Sequence, residues 1–126
     1  MRELCEKEKG AGLATVQVGL PYSFFIAKIG SVFRYFYNCK YIGFYEKTPS
    51  IEGCLSLRDA SGNLVRYEVE RWRKIRVVGK EILIGKGVRM IDLKQDFAGS
   101  EAIVMSHEID HGFGILISDL GKRIDL

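Results

Sequence analysis

The chain contains two histidines, and both stand in His107-Glu108-Ile109-Asp110-His111. On a helix, residues i and i+4 project from one face, so two imidazoles can converge on one metal ion. Glu108 lies ~100° around the same helix, beside such an ion rather than on it. A carboxylate there can take a proton from water that the ion has acidified. From average composition, a His-Glu-x-x-His match arises by chance in well under ~1% of chains of this length. A carboxylate buried between two histidines is costly without a reason, which also favours a metal centre over an ordinary helix.

Two imidazoles fall short of the three protein ligands usual in a catalytic site. After His111 there is no further histidine, and the acids are Asp119 and Asp125. The third ligand is therefore expected upstream, with Cys5, Cys39 and Cys54 as the soft candidates. Cys54 is favoured because Gly53, in Glu52-Gly53-Cys54-Leu55-Ser56, allows close backbone approach. A small buried hydrophobe is the default role of Cys5 and Cys39. A third piece is Gly10-Ala11-Gly12-Leu13-Ala14-Thr15-Val16-Gln17. It lacks the Gly-Lys-Ser/Thr ending of a phosphate loop, and close contact with a peptide-like ligand suits it better. Gln17 is a neutral donor suited to an oxyanion.

These groups need elements to hold them. Met1 to Lys9 reads as a short helical piece, and Gly10 to Ala14 as a small, flexible stretch. Tyr22–Ile29 and Val32–Cys39 are rich in aromatic and β-branched residues around Gly30-Ser31, a hairpin pattern. Ile42 to Ser50, with Pro49, reads as a loop, Ile51 to Leu57 as a short apolar segment, and Asp59 to Asn63 as a turn. Leu64 to Val69 alternates loosely. Ile75–Val78 and Glu81–Ile84 read as strands joined by a tight turn at Gly79-Lys80, and Val88 to Leu93 as a further strand. Phe97 to Gly112 carries Ala98, Ala102, Met105 and Ile109 on one helical face and Ile103, Val104, His107 and His111 on the other. A helix apolar on both sides is buried. The expected fold is α+β, antiparallel β-structure around one central helix, in a single domain over residues 1–126.

Composition bounds the function. With 126 residues, 47% hydrophobic and 28% charged, the chain has the makings of one ordinary core and not of a disordered segment. No apolar run is long enough to span a membrane. The charges of Met1-Arg2-Glu3-Leu4-Cys5-Glu6-Lys7 stand where a secretory leader would be apolar. Three cysteines make no disulfide framework. A net charge of +3 demands no nucleic-acid partner. Arg66, Arg71, Arg73, Lys74 and Arg76 read as a solvated strand face. The hairpin aromatics Phe24, Phe25, Phe33, Tyr35, Phe36 and Tyr37 exceed what one helix can cover. That predicts self-association or reduced stability.

Together the three pieces, in this order, resemble the ordered motifs of peptide deformylases. The similarity runs from about Lys9 to Asp119, with Asn38 at the place of a strand-end asparagine and Gly112 to Asp119 like the segment after the metal helix. Thr15 departs from the family's usual alanine. The resemblance implies a short member without the long C-terminal helix and most of the N-terminal segment. It implies a hydrolase removing the N-formyl group from the N-terminal methionine of new polypeptides. The implied metal ligands are Cys54, His107 and His111, around iron(II), with zinc, nickel or cobalt as substitutes. Glu108 would act as general base and acid, with Gln17 and the Leu55 N–H holding the oxyanion. Substrate would lie against Ala11, Gly12 and Gly53, near Arg66, with its methionine side chain by Ile103, Val104 and His107. Partners would be N-formylmethionyl nascent chains at weak ribosome proximity, with no membrane, no specific nucleic acid, and a homo-oligomer as one state. The place would be the cytoplasm of a bacterium, or of a phage's bacterial host, with an organellar origin as a variant. The competing readings are another metal-dependent amidase or peptidase on the same scaffold, or a truncated nascent-chain or RNA-binding relative.

Overall fold

The computed structural model describes residues 12–14 and 24–124, with the backbone alone for 12–14 and 54–56. The expected Met1–Lys9 helix lies outside the described residues. Within them run β1 (Gly12–Ala14), β2 (Phe24–Ile29), β3 (Val32–Gly43), β4 (Lys47–Arg58), β5 (Leu64–Trp72), β6 (Lys74–Ile84) and β7 (Val88–Ala98). Helix α1 (Ser100–Gly112), a short α2 (Ile117–Leu120) and β8 (Lys122–Ile124) complete the order. Five strands form one sheet in the order β1-β2-β3-β6-β7, and three form another, β4-β5-β8. All pairings are antiparallel. The fold is α+β, as the sequence predicts.

The hairpin expected around Gly30-Ser31 is present, closed by the Ile29↔Val32 pair with Gly30 at φ 65. One face of the larger sheet carries Phe25, Ala27, Phe36, Val77, Leu93 and Phe97, and α1 lays Ala102, Met105 and Ile109 on it. The Phe25 and Phe36 rings stack at 5.0 Å, and Phe97 meets Phe36 edge-on at 6.4 Å. Burying each such ring is worth ~1.5–3 kcal/mol. The expectation of an uncovered hairpin is corrected here. Phe25 and Phe36 face α1, and Ile26 on the other face is fully buried among Phe24, Phe33 and Tyr35. Exposed apolar residues are spread over several elements, among them Val32 at the hairpin's tip, Ile42 and Ile51, with one group, Ile84, Val88 and Met90, at the far end of β6 and β7.

Four local expectations change. Gly12–Ala14 is a strand rather than a flexible stretch, paired antiparallel with β2 with Gly12 opposite Ala27 and Ala14 opposite Phe25. The segment read as a loop around Pro49 is mostly strand. Pro49 sits in β4, an edge strand, where a missing N–H is tolerated. The tight turn at Gly79-Lys80 does not exist, since β6 runs unbroken beside β7. Gly79 faces the place where β3 bulges, with Asn38 at φ 53. A Cβ on Gly79 would lie 2.7 Å from the Cys39 Cα, so this glycine serves close packing and not a turn. Finally, α1 starts at Ser100, three residues after Phe97. Phe97 and Ala98 finish the β7 ladder opposite Ile75 and Lys74, and Gly99 at φ 63 turns the chain. Its N–H is taken by the Arg73 carbonyl at 2.9 Å.

The two sheets meet where β3 passes into β4 and β5 into β6. There Phe44 N–H donates to Lys74 and Arg73 N–H to Glu46. The Trp72 ring lies directly on the bare face of Gly43. α1 is held between this second sheet and the first, which gives each side of the helix a different environment.

Candidate metal centre

The helix side away from the large core carries His107, Asp110 and His111. The ligand atoms of His107, Glu108 and His111 lie within 4.8 Å of one another. The two imidazole rings are 4.9 Å apart and tilted by 60°. This is the convergence expected from their i, i+4 spacing. Glu108 Oε1 stands 3.9 Å from His107 Nε2, beside the imidazoles. His111, Glu108 and Asp110 are buried, and His107 is half-buried.

A residue from the second motif braces this group. Glu52 Oε1 is 2.9 Å from His107 Nδ1. A carboxylate there orients the ring and favours a proton on Nδ1, leaving Nε2 with its lone pair for a metal. Glu52 itself receives Arg71 Nε and Nη2, both at 2.9 Å. Arg71 Nη1 donates to Asp110 Oδ2 at 2.7 Å, and the Tyr41 hydroxyl donates to Asp110 Oδ1 at 2.9 Å. Burial alone would push the Glu52 carboxyl up. Hydrogen bonds from His107 and Arg71, with the Arg71 charge, overcome this and hold it down at about 2. Burial likewise opposes the charge on Arg71, yet Glu52 and Asp110 raise its pKa and keep it cationic.

The donor chemistry fits a divalent cation. On this side of the helix Glu52, Glu108 and Asp110 are buried carboxyls against one buried guanidinium, Arg71, while the buried Glu81 lies elsewhere, paired with Arg34. Two imidazoles and an excess of buried negative charge on one helix side suit a cation, and buried charges need such a partner.

Other expected site residues are distributed as follows. The Glu52-Gly53-Cys54-Leu55-Ser56 motif lies in β4 where the strand leaves its ladder. Gly53 pairs with Arg66, and the ladder resumes with Arg58 opposite Leu64. The bulge between frees backbone that β5 would otherwise occupy, a device common beside active sites. Nothing is described of the Cys54 and Leu55 side chains, and Ala11 and Gln17 lie outside the described residues. Gly12 is in β1, at the edge of the larger sheet. Arg66 is exposed, and its guanidinium lies against Gly53, where a Cβ would meet Nη1 at 2.5 Å. Ile103 and Val104 are half-buried on α1, Ile103 one turn before His107. Cys39 is not part of the group. It is packed in the large core, its thiol reaching the Tyr37 and Lys80 carbonyls, and burial pushes its pKa up.

One expectation is overturned and three residues were missed. Arg71 does not belong to a solvated basic face. It is 3% exposed, on the inward set Val65, Val69, Arg71 of β5. The period-2 pattern from Val65, carried through Val69, reaches Arg71, so the signal was present but hidden by its basic neighbours. Glu52, Asp110 and Tyr41 were not picked out as site residues. Glu52 and Asp110 sit inside the two motifs already recognised, whereas nothing local to Tyr41 marks it.

Comparisons with known proteins bear on the whole of this arrangement. A family profile described as polypeptide deformylase matches residues 1–125. The peptide deformylase of Alkaliphilus metalliredigens is 30% identical over 119 residues, covering 94% of this chain and 74% of that protein. The crystal structure of the Thermotoga maritima peptide deformylase superposes with a TM-score of 0.76 at 30% identity, covering 98% of this chain and 76% of that one. A probable peptide deformylase from Synechococcus phage S-SSM7 gives a TM-score of 0.77 at 31% identity, covering 95% and 78%. A histidine pair on a buried helix, a bulged Glu-Gly-Cys strand beside it and the match along nearly the full chain agree, and the chain belongs to the peptide deformylase family of enzymes.

Proposed function

We propose that the chain is a metal-dependent hydrolase that releases formate from the N-formylmethionyl end of newly made polypeptides. The observation that carries this reading is the His107, Glu108, His111 cluster with Glu52 on the outer nitrogen of His107. His107, His111 and Cys54 would hold the ion, iron(II) natively, with zinc, nickel or cobalt as substitutes. When bound, the ion supplies a Lewis acid that polarises the formyl carbonyl and lowers the pKa of water.

The remaining work falls to this chain's own groups. The Glu108 carboxylate takes the proton of the attacking water and returns it to the leaving amine. The Gln17 amide and the Leu55 N–H donate to the oxygen on which charge develops. The peptide adds as an extended strand along Ala11, Gly12 and Gly53, because β1 is an edge strand and edges accept a further strand. Arg66, over Gly53, faces that backbone. Ile103 and Val104, with the His107 ring, offer the methionine side chain an apolar wall. Nascent chains would be met near the ribosome in the cytoplasm. Among the described residues no helix is long and apolar enough to cross a membrane.

The test is formate release from an N-formylmethionyl peptide by cobalt- or nickel-loaded protein. Glu108→Gln should retain its metal and lose ~10²–10⁴-fold in rate, the usual scale of general acid–base work. Cleavage of unformylated peptides in place of formate release would replace this reading with a peptidase.

A further inference from the structure

We infer that Tyr41 is a positioning residue for the His107 imidazole, acting through Asp110 of α1, Arg71 of β5 and Glu52 of β4. The inference rests on the reading of His107 as a metal ligand. Tyr41 stands on the core face of β3, opposite Val77 of β6, and its ring packs on the large core. Its hydroxyl crosses to α1 and donates to Asp110 Oδ1 at 2.9 Å. Asp110 thus has one oxygen fixed from each side, Oδ2 by Arg71 at 2.7 Å. With Tyr41 removed, the carboxylate can turn about its single remaining bond.

The consequence passes on because of a shared atom. Glu52 Oε1 accepts from Arg71 Nη2 and also faces His107 Nδ1, both at 2.9 Å. A guanidinium that tilts to follow Asp110 carries Oε1 away from the imidazole. The chain of bonds therefore links a residue of the larger sheet to the ring nitrogen whose proton selects the tautomer. Burial, then the neighbouring Asp110, push the Tyr41 hydroxyl up to about 12, so it remains a donor throughout the working range.

Tyr41→Phe keeps the ring and deletes the donor. Val77→Ala is the control, a core truncation opposite Tyr41 that leaves every bond of the network in place. Two readouts apply to the whole chain: cobalt(II) affinity by chelator competition, and the imidazole N–H resonances, simple to assign in a chain with two histidines. Tyr41→Phe should weaken cobalt binding about 3- to 10-fold, below the ~10–100-fold of a direct outer partner. It should also shift the His107 Nδ1–H signal and speed its exchange. Val77→Ala should lower the melting temperature and change neither. Equal cobalt affinity and an unmoved Nδ1–H signal in Tyr41→Phe would overturn the inference. A Tyr41→Phe protein that fails to fold while Val77→Ala folds would overturn it too, making the hydroxyl a folding determinant. If the parent chain binds no cobalt, the metal reading falls. The imidazole signals of the metal-free variants then decide on Tyr41 alone.

Discussion

Glu52→Gln tests the buried network at its centre. The substitution keeps the side chain's volume and one acceptor oxygen, and removes a charge that is 7% exposed and bonded to Arg71 and His107. In the folded protein the carboxyl is held at about 2, against an ordinary value of 4.5. At ~1.36 kcal/mol per pH unit, that preference for the ionised form is worth about 3 kcal/mol at neutral pH. Breaking a buried ion pair from one side costs ~3–5 kcal/mol, which agrees. A domain of this size has ~5–15 kcal/mol in all, so the loss should be plain. Because the folded pKa is depressed, the stabilisation is complete above 4.5 and drains as pH falls toward 2. Urea unfolding of metal-free parent and Glu52→Gln at pH 7 and pH 3 reads this directly. The gap should be about 3 kcal/mol at pH 7 and narrow by about 2 kcal/mol at pH 3. A gap under ~1 kcal/mol at pH 7, or one of constant size, would refute an ionised, paired Glu52.

Two further outcomes are expected. Cys54→Ala should lose its metal whereas Cys39→Ala keeps it, as metal analysis after dialysis would show; the reverse would end the assignment of Cys54. Gly43→Ala drives a methyl group into the Trp72 ring at the junction of the two sheets, and should cost ~1–3 kcal/mol or more in a thermal melt. An unchanged melt would mean that Trp72 moves freely.

The legible parts of the sequence were those whose signal is local. The spacing of His107 and His111 needs only the pitch of one helix, and the hairpin at Gly30-Ser31 only two adjacent strands. Gly79 and Pro49 misled because both residues usually interrupt a strand. Gly79 is instead required by the bulge at Asn38 and Cys39, some forty residues earlier, and Pro49 is tolerated because β4 lies at an edge. Arg71 was hidden among charged neighbours, although alternation from Val65 and Val69 points inward. Tyr41 had no sequence signal, since its partner Asp110 is brought to it only by the packing of α1 on β3.

The junction where β3 leaves for β4 and β5 returns to β6 has a kinetic side. β2 with β3, β4 with β5 and β6 with β7 are each hairpins of neighbouring strands, which close on short loops. The β3–β6 pairing is different, for it must draw together the ends of a ~30-residue excursion, an entropic cost of about 3 kcal/mol beyond the constant for any loop. Until that pairing forms, Glu52 and Arg71 belong to one folding unit and Tyr41 to another. Such non-local closure is the slow kind of step in β-rich chains. Assembly of the buried charges should therefore track closure of the larger sheet, so that capture of a metal reports the completed topology and not the earlier hairpins.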